Sequence, residues 1–161
     1  MIVLDRLFSP VEARTTVALA RHDVFRAIAD PRTYPSWLLG AQRIRHVDPA
    51  FPAPATRFEH SVGPADGATV DDSSEALRAD PPRRLDLAVH IGPVEGDVTF
   101  LLEEAGGRTS VTLRERPTGR LAALTPLLRP VLYARNRWSL HQLRRLLESS
   151  GGPEGLSTLE Q

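Results

Sequence analysis

From Ala41 to Arg116 the chain alternates apolar and polar residues, broken at intervals by clusters of Gly, Pro and Asp. This pattern restricts the fold more than any other feature of the sequence. A period of two sends successive side chains to opposite sheet faces, and closely spaced turn signals return each strand antiparallel to the last. The pattern predicts strands at Ala41–Asp48, Thr56–Val62, Thr69–Ala79, Arg84–Ile91, Val94–Glu104 and Arg108–Arg116. The turns between them are Pro49–Ala55, Gly63–Gly67, Asp80–Pro82, Gly92–Pro93 and Ala105–Gly107. Leu85, Leu87, Val89 and Ile91 share one face, as do Val94, Val98, Phe100 and Leu102, while most residues between them are polar. One face of the sheet is therefore expected to be wet and the other covered.

The flanking segments supply the cover. Val11–Ala20 reads as a first strand, with Val17 and Leu19 alternating among small residues. Val24, Phe25 and Ile28 then fall at helical spacing, and Asp30-Pro31 ends that helix because a residue before Pro is pushed out of the α region. Pro31 can open a second short helix carrying Tyr34, Trp37, Leu38 and Leu39. From Leu121 the apolar period lengthens again, and Leu128, Leu132, Leu143, Leu146 and Leu147 fall on one side of a long helix. Thr125 is the expected cap with Pro126 at the first position, and Pro130 marks a place for a kink. Residues 1–148 are read as one domain and 149–161 as a flexible tail.

One strand, two short helices, six strands and a long amphipathic helix make an α+β chain. The economical packing is a seven-stranded curved antiparallel sheet wrapped around the C-terminal helix. Seven strands around one helix leave the wide end short of side chains, so a pocket is expected there.

Composition removes several functions. Lys plus Arg and Asp plus Glu number 20 each, which leaves no net field to gather nucleic acid, and every basic residue is Arg. There is no Cys, so disulfides, thiolate nucleophiles and Cys-bound zinc are excluded. No apolar stretch reaches membrane-spanning length, and the first ten residues lack the pattern of a secretion signal, so a cytoplasmic location is expected. The five His are not paired at metal-ligand spacing, and no Gly-rich phosphate loop or nucleophile elbow occurs. No cofactor is expected, and the assembly is expected to be a monomer or homodimer.

The segments His22–Pro31 with Tyr34-Pro35-Ser36-Trp37, then Asp80–Leu85, Gly92–Gly96 and Gly107–Thr112, together resemble the START-like SRPBCC superfamily. The likeness is to its polyketide cyclase/dehydrase and lipid-transport branch and covers about Val11 to Glu148. It implies a helix-grip fold with an internal cavity for a hydrophobic molecule. One departure is visible: where such sequences commonly place Gly before the third strand, this chain has Ala55.

His60 shares strand parity with Phe58 and Val62, which points its imidazole inward, where it can exchange a proton near neutral pH. Asp71 or Asp72 is expected across from it, and a His60–Asp71 pair would be an acid/base device. On the long helix Asn136 and Ser139 lie in the apolar sector, whereas Trp138 lies nearly opposite. Trp37 is placed either at the cavity mouth or in the core. The expected wall is Phe58, Leu87, Val89, Phe100 and Leu132, with His60, Asn136 and Ser139 fixing the ligand. Three functions follow: a binding protein for a small hydrophobic, aromatic, polyketide-like or lipid-like molecule; a cyclase/aromatase-type enzyme using the same cavity; and a module whose groove grips a partner helix.

Overall fold

The structure is a computed structural model that describes residues 9–64 and 67–151. Its strands are β1 (Val11–Val17), β2 (Ala41–Val47), β3 (Arg57–Val62), β4 (Val70–Asp80), β5 (Arg84–Ile91), β6 (Val94–Ala105) and β7 (Arg108–Thr118). They form one antiparallel sheet in the order β1-β7-β6-β5-β4-β3-β2. The two short helices, α1 (Arg21–Ile28) and α2 (Tyr34–Trp37), lie between β1 and β2 with a 3-10 turn at Pro31–Thr33. The long helix α3 runs from Thr125 to Ser150. This is the α+β, helix-grip-like architecture expected from the alternation and the final helical stripe.

Strand parity holds in detail. Leu85, Leu87, Phe100, Leu102, Val111 and Leu113 are all buried on the inner face, and β5 and β6 align Leu85 with Phe100 and Leu87 with Val98. His90 points outward and is exposed. Asp30 is extended and its carboxylate accepts the Arg32 N–H, so α1 stops where the residue before Pro31 requires. The start of α1 has no cap of its own. Glu104, at the end of β6, instead accepts the Arg21 N–H at 2.8 Å.

Two expectations about α3 are corrected. Thr125 is the first helical residue, buried, and its hydroxyl donates to the Ala122 carbonyl, while Leu124 stands at the N-cap position without a side-chain cap. The helix also continues to Ser150 through the start of the expected tail, ending where Gly151 takes φ 66° and donates its N–H to Leu147 O. Residues 152–161 lie outside the described residues. The inner face of α3 buries Asn136, Ser139, Leu140, Leu143 and Leu147, and Trp138 is exposed on the other side. Among the described residues no helix is long and apolar enough to cross a membrane.

Candidate functional site

Leu140, Leu143 and Leu147, on the C-terminal half of α3, join a continuous core with Val24, Phe25 and Ile28 of α1. The N-terminal half of the helix offers Leu132, Arg135 and Asn136 toward the sheet instead, and space remains beneath them. The result is a cavity of about 560 Å³, inside the range of roughly 300–1,000 Å³ common for ligand pockets. Its lining is mostly apolar. Phe58, Leu87, Phe100 and Leu113 are buried and form its depth, whereas Leu39 and Val94 are each more than two-fifths exposed and mark its rim.

Three polar features interrupt this wall. The His60 imidazole is buried, with Nε2 3.0 Å from Ser74 Oγ and Nδ1 without a hydrogen-bond partner. Burial holds its pKa below the ordinary His value, opposed by the nearby Asp72 charge, so the ring is neutral at pH 7. Asn136 is 1 % exposed and its Nδ2 likewise has no partner. At one side Arg135 makes a two-pronged ion pair with Glu115 at 3.0 and 3.1 Å and donates to the Leu39 carbonyl, clamping α3 to β7 and to the segment after α2.

The structure brings Phe58, His60, Leu87, Val89, Phe100, Leu132 and Asn136 around this one space. Three other expected residues stand elsewhere. Trp37 is 1 % exposed and packs edge-on against Phe100, 6.2 Å between centroids, and against Tyr34, with Nε1 donating to Thr33 Oγ1. Trp37 is thus core beside the wall and not part of it. Ser139 is fully buried, and its hydroxyl oxygen accepts the Leu39 N–H at 3.0 Å, which ties α3 to the loop after α2. Asp71 projects from the outer sheet face, where it accepts from Ser61 Oγ and lies 3.8 Å from Arg45. The register sets Asp72 opposite His60, and Asp72 accepts the backbone N–H groups of Ser73 and Gly92. No His60–Asp71 pair forms.

Sequence reasoning did not single out Ile44, Ser74, Leu113, Glu115 or Arg135 as part of this site. Leu113 and Ser74 were open to the parity argument applied to their neighbours. Arg135 and Glu115 become visible only once α3 is laid across β7. A second depression, about 510 Å³, is lined by Arg32, Pro35 and residues 42–47 of β2. It contains no buried unpartnered polar atom among the described residues, and it carries no candidate site. No group of His, Asp and Glu suited to a metal ion occurs among the described residues.

A family model described as Activator of Hsp90 ATPase homolog 1-like protein matches residues 18–148. No curated protein matches the chain in sequence. Among solved structures, protein NE0264 from Nitrosomonas europaea superposes with a TM-score of 0.72 at 16% identity, covering 88% of this chain and 95% of that one. Protein CV1439 from Chromobacterium violaceum gives 0.71 at 17% identity, over 87% and 97% of the two chains. The di-domain ARO/CYC StfQ from the steffimycin biosynthetic pathway gives 0.66 at 15% identity, over 89% of this chain and 52% of its own. The chain therefore spans about half of that protein. These likenesses establish the fold.

Proposed function

Because the chain belongs to the Activator of Hsp90 ATPase homolog 1-like family, of the SRPBCC superfamily, we propose that it binds a small, mostly apolar molecule between sheet and C-terminal helix. The observation that carries this reading is the apolar cavity of about 560 Å³ under Leu132 and Asn136. Burying apolar ligand surface there contributes about 25 cal/mol per Å² removed from water. Phe58, Leu87, Val89, Phe100 and Leu132 are the contact surface. Mass spectrometry of an extract from denatured protein is the test, expected to show one small molecule carried through purification. A protein that yields no such molecule and also fails to bind an apolar fluorescent probe is not a carrier of this kind.

A second reading is a cyclase-type enzyme, in which the wall folds a reactive chain and His60 moves a proton. The neutral, buried imidazole at the cavity favours it, and so does the likeness in fold to the di-domain ARO/CYC StfQ. With a poly-β-ketone as probe, His60→Ala should lower turnover while affinity is retained. Unchanged turnover ends the proposal of proton transfer by His60.

A further inference from the structure

Among the described residues three buried side-chain atoms have no hydrogen-bond partner, and two of them belong to residues that line the cavity: Nδ1 of His60 and Nδ2 of Asn136; the third, Nε of Arg21, lies away from it. Leaving a buried donor or acceptor unmade is costly, and native proteins seldom do so without a reason. The Asn136 amide N–H is a donor only, so it requires an acceptor oxygen or nitrogen. The His60 ring is bonded to Ser74 through Nε2. If Nε2–H donates to Ser74, Nδ1 accepts; if the Ser74 hydroxyl donates to Nε2, Nδ1 carries the proton. A hydroxyl group satisfies Nδ1 in either tautomer, because it both donates and accepts.

Charge is restricted just as tightly. Arg135 is the one cation lining the cavity among the described residues, and its guanidinium is committed to Glu115 and to the Leu39 carbonyl. Glu115 is committed in return. A carboxylate or phosphate guest would meet no free positive group and would lose its hydration, a large penalty. A cationic guest would face the same difficulty.

We propose that the cavity selects an uncharged oxygenated molecule, with an apolar body against the wall, a carbonyl oxygen at Asn136 and a hydroxyl at His60. This rests on the reading of the cavity as a ligand site and names the ligand's class. The same chemistry that admits a hydroxylated ketone disfavours any guest that carries its charge into the depth of the cavity.

Four naphthalene probes of similar size test it by titration calorimetry: ethylnaphthalene, naphthyl methyl ketone, hydroxynaphthyl methyl ketones with the two groups placed around the ring, and hydroxynaphthoic acid. The expected order is hydroxyketone above ketone above ethylnaphthalene, each step about three- to tenfold, with the acid weakest. Asn136→Leu should erase the gain from the carbonyl and His60→Phe the gain from the hydroxyl, each read within one variant as the ratio of its affinities for the oxygenated probe and for ethylnaphthalene. Circular dichroism and a cooperative urea transition check that each variant is folded, and the wild-type series decides the matter if either variant is not. Ethylnaphthalene binding as tightly as every hydroxyketone, or the acid binding tightest, overturns the inference while the cavity reading stands. Failure of all four to bind overturns both.

Discussion

Ala55 is the one residue other than Gly among those described that holds a positive φ, at 67°. It does so because its N–H must reach the Ala76 carbonyl, at 2.8 Å, before the Ala76 N–H returns to Thr56 O, which joins the loop to β4. An L side chain there costs roughly 1–2 kcal/mol, and Gly would surrender part of that gain to the greater freedom of its unfolded chain. Ala55→Gly should therefore stabilise the protein by about 0.5–1 kcal/mol, read as a higher urea midpoint. A lower midpoint would mean that the loop does not require the left-handed conformation. The position was open to sequence reading, because the superfamily's usual Gly is absent there and the backbone keeps the conformation that Gly would favour.

His60 carries a pH signature at the same scale. Burial lowers its pKa in the folded protein, so between the unfolded value of about 6.5 and the folded value below it the unfolded chain binds more protons. Stability contributed by the neutral ring is complete above about pH 6.5 and is lost as pH falls through that window. Below the folded pKa the loss levels off. Chemical denaturation at pH 7 and pH 5 should show a larger loss for wild type than for His60→Gln. Equal losses would mean that His60 is not held neutral by burial.

At the scale of elements, α3 is a helix with two tasks. Leu143 is fully buried in the continuous core, whereas Leu132, eleven residues earlier, is half-buried above the cavity. Truncating a packed Leu costs about 2–5 kcal/mol, since it removes burial and leaves a hole. Leu143→Ala should fall in that range. Leu132→Ala should cost less than about 1.5 kcal/mol, because much of its contact surface already faces open space. Comparable costs at the two positions, measured by denaturant unfolding, would show the two halves to be packed alike.

The same helix shows what the sequence allowed and what it withheld. Its stripe and its polar members, Asn136 and Ser139, were legible from helical periodicity, as the strands were from alternation. Which of the two faces open space was not, because Ser139 is claimed by the Leu39 N–H and that partner lies a hundred residues away in sequence. Trp37 stayed open between two places for a similar reason: a large ring on a four-residue helix is equally compatible with a mouth or a core until Phe100 is set beside it. Asp71 failed by a single step of register. The longer connection from Val62 to Val70 aligns Asp72 with His60 and turns Asp71 to the outer face, and strand periodicity inverts side-chain direction with every such step.

Across the whole molecule, the sheet is closed on the helix at one end and held off it at the other, and the Arg135–Glu115 pair keeps the open end in place. Such a protein should gain stability from an occupant, by about 2.7 kcal/mol at a hundredfold excess over Kd. It should also tolerate bulk where ordinary cores do not. Adding atoms to a close-packed interior typically costs about 1–3 kcal/mol. Val89 and Val98 lie on neighbouring strands, and both line the cavity. The double substitution Val89→Phe with Val98→Phe places two rings into the open volume. It should change stability by less than about 1 kcal/mol while weakening ethylnaphthalene binding at least tenfold. The stability measurement needs no knowledge of the natural ligand, so it interrogates the empty space directly. A cost of 2–3 kcal/mol would mean that the strands and α3 close on themselves in solution, and that no room is kept for a guest.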